Sequence, residues 1–147
     1  MGKLATFRDL DRAERLGAFE AASLLLIARM LVSLVPFRLW QARLGKIGNA
    51  AEDHVLSPLG IAQVGIVRRS IARVTRHAPL DFICLPRALA ARWMLARRGI
   101  GSELAIGVRA LSHGEKDFHA WLMVAGDFVT GDCEPADYAR LARDSAA

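Results

Sequence analysis

The sequence predicts an α+β domain with a helical front and a strand-containing back. Two observations support this class. Apolar residues recur at helical spacing through most of the chain up to Gly99, and they alternate with polar residues from Glu103 onward. The chain has 147 residues with no internal repeat or long linker, so we expect a single domain over residues 1–147, divided into a helical region (1–76) and a mixed core (77–147).

Three helices are predicted before residue 77. The first runs from Asp9 to about Val35 and ends at Pro36. A short second helix is predicted over Phe37–Gly45, and a third over residues 57–76 with Pro58 in its first turn. The apolar positions that recur at helical spacing in the first helix are Leu10, Leu16, Phe19, Ser23, Ile27, Met30, Leu31 and Leu34. Those of the third are Ile61, Val64, Ile66, Val67, Ile71 and Val74.

The most apolar segment, from Leu24 to Phe37, is predicted to be a core helix and not a membrane span. It contains Arg29 and meets Pro36 after about 14 residues, whereas a span needs about 20 apolar residues. Acidic residues precede it and no small-residue cleavage site follows it, unlike in a secretory signal. We therefore expect a cytoplasmic protein without membrane association. A helix lying on the membrane surface is the alternative.

Positive charge is concentrated in the first half of the chain. Residues 1–80 carry 12 Lys and Arg against 6 Asp and Glu, whereas residues 81–147 carry 8 against 9; the whole chain has a formal charge of +5. A basic, apolar half of this kind can face an acidic partner or an anionic surface, or can simply be solvated. Aromatic and basic residues do not interleave on a strand platform, so nucleic-acid binding is not expected.

No cofactor or metal is expected. The chain has no glycine-rich phosphate loop, so any ATP requirement would belong to a partner. His54, His77 and His113 have no spacing typical of metal ligands.

The segment APLDFICLPRALAARWMLARRGIG predicts a buried helix. Pro86 marks its first turn, and an arginine pair followed by Gly99 marks its end. Cys84 stands just before that turn, where unpaired N–H groups and the helix dipole stabilise a thiolate, the reactive form of cysteine. The second cysteine, Cys133, forms no CxxC pair with it. Two cysteines are too few for a disulfide framework, which favours a reducing compartment.

Three strands are predicted after Gly99. They cover Glu103–Ala110, Phe118–Val124 and Phe128–Asp132. The last two are expected to form a hairpin folded at Gly126 and Asp127. This hairpin would make His119 and Asp132 cross-strand neighbours, about 5 Å apart at the backbone if they pair directly.

Cys84, His119 and Asp132 have the residue types of a cysteine-nucleophile triad. In such a triad His119 takes the thiol proton, and Asp132 fixes the tautomer of the imidazole and supports its cationic form. Taken singly, a cysteine at this position is an ordinary core residue, and the histidine and aspartate have equally ordinary structural roles. Asp127 is the alternative third member, although Gly-Asp is common turn chemistry. Cys133 is expected to face away from Asp132 and to take no part in the reaction.

Two arginines flank the predicted site, and backbone N–H groups would complete it. Arg87 and Arg109 could bind an acidic group of a substrate or serve a structural role. An oxyanion hole would use backbone N–H groups, with that of Cys84 as one donor.

The run CLPRALAARWMLARRGIGSELAIGVR, followed by FHAWLMVAGDFVTGD, resembles the transglutaminase-like cysteine peptidases of lasso-peptide biosynthesis. The similarity is closest around CLPRAL, ARRGI, IGVR and HAW, covers about residues 77–135 and extends less specifically to LIARMLVSLVPFRLW. It implies a transglutaminase or papain-like core, with the cysteine-bearing helix packed on a small antiparallel sheet. It also implies that Cys84 is the nucleophile, His119 the general base and Asp132 the orienting acid.

The resemblance implies removal of a leader peptide from a ribosomally made precursor, through a thioester acyl-enzyme. An ATP-dependent cyclase then closes a lactam on the freed core peptide. Members of this family carry, or work beside, a small leader-binding module, and because this chain begins with the peptidase-type helices we expect a separate leader-binding protein. Two alternatives are a non-catalytic helical module that binds a partner or a membrane surface, and an acyl transferase that uses the same triad.

Overall fold

In the computed structural model, residues 11–40, 55–80 and 83–141 are described, and they form four α-helices and a four-stranded antiparallel sheet. The helices are α1 (Arg12–Leu34), α2 (Phe37–Trp40), α3 (Pro58–His77) and α4 (Cys84–Ala96). The strands are β1 (Glu103–Ala110), β2 (Lys116–Val124), β3 (Asp127–Thr130) and β4 (Ala139–Arg140), in the sheet order β3-β2-β1-β4. This architecture is an α+β fold, as predicted. The end of the predicted second helix, residues 41–45, lies outside the described residues.

Helix α1 crosses α3 at close range. A Cβ atom at Gly17 of α1 would lie 2.6 Å from the Ser70 hydroxyl of α3, so the crossing needs a glycine at this position. Next to it, Glu14 forms an ion pair with Arg69 at 2.9 Å and another with Arg73 at 3.5 Å. Small side chains at the crossing therefore set the distance between the two helices, and the ion pairs flank it.

The buried face of α1 is not the predicted one. Its buried residues are mostly small: Gly17, Ala18, Ala21, Leu25 and Ala28. The large apolar residues expected in the core are instead 51% to 68% exposed: Leu16, Phe19, Ile27, Met30 and Leu34. Because α1 is apolar on several sides, its periodicity does not identify the buried face. The small residues go inward because they allow close contact with α3 and α4.

By length and composition, α1 could also cross a membrane. Its most apolar 18-residue window has a mean hydropathy of 1.6, and 28% of that window is buried. The core helix of a soluble protein passes the same test, so this property alone does not distinguish a membrane span from the predicted core helix.

Helix α4 is buried, as predicted, and forms the centre of the core. Its completely buried residues include Ala88, Leu89, Ala90, Ala91, Met94 and Leu95. The helix packs against α1 and α3 on one side and against β2 and β3 on the other. Beyond its end, Arg98 donates hydrogen bonds to Glu20 of α1 at 2.7 Å and to Gln63 of α3 at 3.0 Å, so one guanidinium joins three helices.

The β2–β3 hairpin is present, but its turn and register differ from the prediction. Val124 pairs with Asp127, which places the two-residue turn at Ala125 and Gly126, both with positive φ. This conformation is typical of a type I′ turn. A bulge at Val129 then shifts the register of β3. Strand β4, which pairs with β1, was not predicted because two residues are too short to show a period.

Candidate active site

Cys84 is the first residue of α4, and its side chain is partly buried against the core. The preceding residue, Ile83, supplies no side-chain cap, and the first turn contains no acidic residue. An uncapped helix N-terminus presents backbone N–H groups and the positive end of the helix dipole. Both stabilise negative charge, so this position suits an oxyanion formed beside Cys84.

His119 lies on β2 opposite Gly107 of β1, and its Nε2 atom lies 2.9 Å from the carbonyl oxygen of Gly131. A carbonyl oxygen only accepts hydrogen bonds, so Nε2 carries the proton in this contact. In the neutral ring the other nitrogen, Nδ1, is then unprotonated. The main chain thus holds His119 in the tautomer that leaves Nδ1 available as a base.

Aromatic rings hold the imidazole on the sheet. The centroid of the Tyr138 ring lies 5.5 Å from that of His119, and the Trp121 ring is stacked on His119 at 6.1 Å. Both rings need the space above Gly107. A Cβ atom there would lie 2.6 Å from Cβ of Tyr138 and 3.0 Å from the Trp121 ring.

A polar cluster next to these rings fixes Tyr138. The Tyr138 hydroxyl donates a hydrogen bond of 3.1 Å to Asp117, and Arg109 donates one of 2.9 Å to the same carboxylate oxygen. The Arg109 guanidinium also lies over the Tyr138 ring, 5.0 Å from its centroid. Desolvation and the hydrogen bond to Asp117 raise the pKa of Tyr138. Arg109 therefore has a structural role here, one of its two predicted alternatives.

Asp132 is not the cross-strand neighbour of His119. The β2–β3 ladder ends at the pair Leu122–Thr130, and Gly131 then turns the chain with a φ of 76°. Only glycine fits at position 131, because the Cβ atom of any other residue would lie 2.5 Å from the Ala120 carbonyl oxygen. The side chain of Asp132 is exposed, and the residue lines a pocket between α3, α4 and β3. The role of Asp132 as third triad member stays a prediction.

The first turn of α4, which begins at Cys84, lies near the chain segment that contacts His119. Arg87 of that turn lines one pocket with Gly131, whose carbonyl oxygen contacts Nε2 of His119. Among the described residues, no hydrogen bond joins the side chains of Cys84 and His119. Ala120 and Leu122 pack into the helical core, so His119, which alternates with them, lies on the other face of β2. The pairing of Cys84 with His119 also stays a prediction.

A family model of the transglutaminase-like superfamily matches residues 31–143. The chain belongs to the transglutaminase-like superfamily. This superfamily includes cysteine peptidases and acyltransferases, and its members are typically enzymes. Neither the curated proteins nor the solved structures yielded a match. The matched segment of this transglutaminase-like chain contains all three predicted triad residues and leaves out most of α1.

The other candidates in the transglutaminase-like domain take separate positions. Asp127 opens β3 opposite Val124, at the hairpin end of the sheet, five residues along β2 from His119. Cys133 is partly buried, and desolvation, together with the carboxylates of Glu134 and Asp132, raises the pKa of its thiol. The described residues contain no cluster of His, Cys, Asp or Glu suited to a metal ion. His54 lies outside the described residues.

Sequence reasoning did not find Gly107, Gly131 or Tyr138 as parts of the site. Tyr138 follows a short 3-10 helix over Pro135–Asp137, and no periodicity marks it. Gly131 and Gly107 were visible as glycines next to the predicted site residues. An isolated glycine in a strand pattern often marks a close backbone approach, and this is the signal that could have found Gly107.

Proposed function

We propose that this protein is a cysteine peptidase that removes the leader peptide from a ribosomally made lasso-peptide precursor. Cys84 is the nucleophile, His119 the general base and Asp132 the third member of the site. The observation that carries this proposal is the position of Cys84 at an uncapped helix N-terminus within a transglutaminase-like domain. The lasso-peptide specificity rests on the sequence similarity around CLPRAL, ARRGI, IGVR and HAW.

In the first half of the reaction, Nδ1 of His119 takes the proton of the Cys84 thiol, and the sulfur attacks the carbonyl carbon of the bond between leader and core. The backbone N–H of Cys84 stabilises the resulting oxyanion. When the C–N bond breaks, His119 returns the proton to the departing amine. The core peptide leaves with a free N-terminus, and the leader remains bound to Cys84 as a thioester.

In the second half, His119 takes a proton from water, and the resulting hydroxide attacks the thioester. The C–S bond breaks and the thiolate of Cys84 leaves, recovering the proton from His119. The leader is released as a carboxylic acid. The proposal requires His119, which lies on the face of β2 opposite to the helical core, to come within hydrogen-bond distance of Cys84 at the start of α4.

We also propose that a separate leader-binding protein docks on the exposed face of α1. This face, called here the α1 stripe, consists of Leu16, Phe19, Ile27, Met30 and Leu34, all exposed. A contiguous apolar surface of several large side chains is unusual on a monomer and is typical of an interaction site. Arg12 and Arg15 lie at its N-terminal end, so acidic residues at the rim of the partner would complement it. The stripe mostly precedes the segment matched by the superfamily.

Cleavage of the precursor by purified protein tests the proposed reaction. Precursor peptide, leader-binding protein and the wild-type chain are incubated, and the products are weighed by mass spectrometry. We expect Cys84→Ala to stop the release of the leader while the protein keeps its circular-dichroism spectrum, and the matched variant Cys133→Ala to retain activity. Continued cleavage by Cys84→Ala would refute the mechanism. A leader joined to an added amine, in place of free leader acid, would identify an acyl transferase.

A further inference from the structure

A pocket of about 440 Å³ opens between α3, the first turn of α4 and the end of β3. Its polar lining residues are Arg68, Thr75, Arg76, Arg87, Thr130 and Asp132. Its volume is typical of a small-ligand site. Gly131, which accepts the hydrogen bond from His119, also lines it, so the pocket adjoins the candidate active site.

Three arginines and one aspartate give this pocket a positive charge. Arg68 donates a hydrogen bond to the carbonyl oxygen of Phe128. Within the described ranges, Arg76 and Arg87 form no ion pair with Asp132 or with another carboxylate. Guanidinium groups bind carboxylates through paired, charge-assisted hydrogen bonds. Two cations without such a partner in one pocket, one on α3 and one on α4, favour an anionic occupant.

Thr130 lines the pocket at the end of β3. It is 7% exposed, and its hydroxyl is enclosed by the protein rather than open to the pocket, so the arginines alone carry the charge argument.

We propose that the pocket binds the side-chain carboxylate of an Asp or Glu residue in the peptide substrate. The inference rests on the proposed function for the substrate being a peptide. Arg87 follows Cys84 by three residues on α4, which places their Cβ atoms about 5–6 Å apart. An extended peptide advances about 3.3 Å per residue, so the acidic residue lies within about three residues of the cleaved bond.

A binding experiment tests the pocket without requiring catalysis. The Cys84→Ala protein is titrated with N-acetylglutamate amide or with N-acetylglutamine amide and followed by NMR. We expect the glutamate probe to shift the amide signals of Thr130 and Gly131, and to bind at least tenfold more tightly than the glutamine probe. Arg76→Gln or Arg87→Gln, added to Cys84→Ala, should remove this preference, and the matched variant Arg12→Gln on α1 should keep it.

Equal binding of the two probes, or an unchanged preference in both pocket variants, would overturn the proposal. Tighter binding of inorganic phosphate than of the glutamate probe would also overturn it, because the pocket would then be a phosphate site. These results do not depend on cleavage, so they separate a failure of this inference from a failure of the proposed peptidase function.

Steady-state kinetics then identify which residue of the substrate carries the bound carboxylate. Precursor variants with Glu or Gln within three residues of the cleaved bond are compared with the wild-type enzyme. We expect the Glu→Gln change at the bound position to raise KM about tenfold with little effect on kcat, and Arg87→Gln to abolish the difference between the two substrates. A wild-type enzyme that cleaves all of these substrates with the same KM would contradict the placement.

Discussion

The Nε2 atom of His119 donates a hydrogen bond to the main-chain carbonyl oxygen of Gly131, 2.9 Å away. This contact sets the imidazole tautomer, which is one of the two tasks that the sequence assigned to Asp132. The second task, stabilising the imidazolium cation, needs a negative charge, and a carbonyl dipole does this less well than a carboxylate. The Gly131 main chain therefore performs the first of these tasks, and the second task, which is proposed for Asp132, stays a prediction.

Replacing Asp132 with Asn should consequently have a modest effect. We expect Asp132→Asn to lower kcat by about tenfold or less, since the Gly131 carbonyl still orients the ring, whereas His119→Ala should lose about 10²–10⁴-fold. Rates of leader release under saturating substrate provide the measurement. Asp127→Asn, at the distant hairpin turn, is the control and should leave kcat unchanged. A loss with Asp132→Asn as large as that with His119→Ala would show that the carboxylate itself is required.

Gly107 should be sensitive to the smallest substitution. In Gly107→Ala the new methyl group meets Tyr138 and the Trp121 ring at 2.6 and 3.0 Å, and relieving such contacts typically costs about 1–3 kcal/mol. The free energy of unfolding in urea measures this loss. Because the displaced rings hold His119, kcat should fall as well.

A glycine in a helix supplies the matched control for Gly107. In Gly65→Ala on α3, the new methyl group meets only the flexible end of Arg69. This change should stabilise the protein by about 0.5–1 kcal/mol, because alanine favours the helix. If Gly107→Ala and Gly65→Ala had the same free energy of unfolding, the packing around Gly107 would not limit the residue at that position.

The elements with a single clear period were predictable, and the features set by close packing were not. Helix α4 and strands β1 and β2 follow their apolar patterns within two residues. The register of β3 depends on a turn at Ala125–Gly126 and on a bulge, which no period reveals. The buried face of α1 depends on the close approach of Gly17 to Ser70, a contact between residues far apart in the chain. The predicted position of Asp132 was wrong because of the turn and the bulge. The predicted buried face of α1 was wrong because of the close approach of Gly17 to Ser70.

The two cysteines should differ in their reaction with iodoacetamide, which modifies thiolates. Cys84 lies at an uncapped helix N-terminus, whereas desolvation and the nearby carboxylates of Glu134 and Asp132 raise the pKa of Cys133. A raised pKa means that less of Cys133 is thiolate at neutral pH, and that its reaction accelerates as the pH rises toward that pKa. Peptide mapping by mass spectrometry at pH 7 should therefore show Cys84 labelled first, with Cys133 gaining label at higher pH.

Activity measurements complete the comparison of the cysteines. Loss of cleavage should follow the labelling of Cys84 in time, and labelling of Cys133 in Cys84→Ala should remain slow at pH 7. Equal labelling rates at pH 7 would contradict the electrostatic difference between the two positions. Cleavage that persists after Cys84 is completely labelled would argue against its role as nucleophile.

The α1 stripe should be dispensable for folding and required for partner binding. Leu16 and Ile27 are more than half exposed, so Leu16→Glu and Ile27→Glu should leave the unfolding midpoint nearly unchanged. A glutamate in the centre of an apolar interface leaves a buried unpaired charge, so both variants should bind the leader-binding protein at least tenfold more weakly. Calorimetric titration with the purified partner measures this effect. Leu59→Glu, an exposed leucine on α3, is the control and should bind as the wild type does.

Vesicle flotation distinguishes the proposed occupant of the α1 stripe from a membrane, since α1 is also long and apolar enough to insert into one. Wild-type protein should stay with the soluble fraction when mixed with vesicles of phosphatidylcholine and phosphatidylserine, because Arg12 and Arg15 at the end of the stripe contribute only about 1 kcal/mol each to binding an anionic surface. Flotation of the wild type that is lost in Ile27→Glu, with partner affinity unchanged, would assign the stripe to lipid. Cleavage of the precursor without partner should be equal in the wild type and in Ile27→Glu, because the substitution lies before the segment matched by the superfamily.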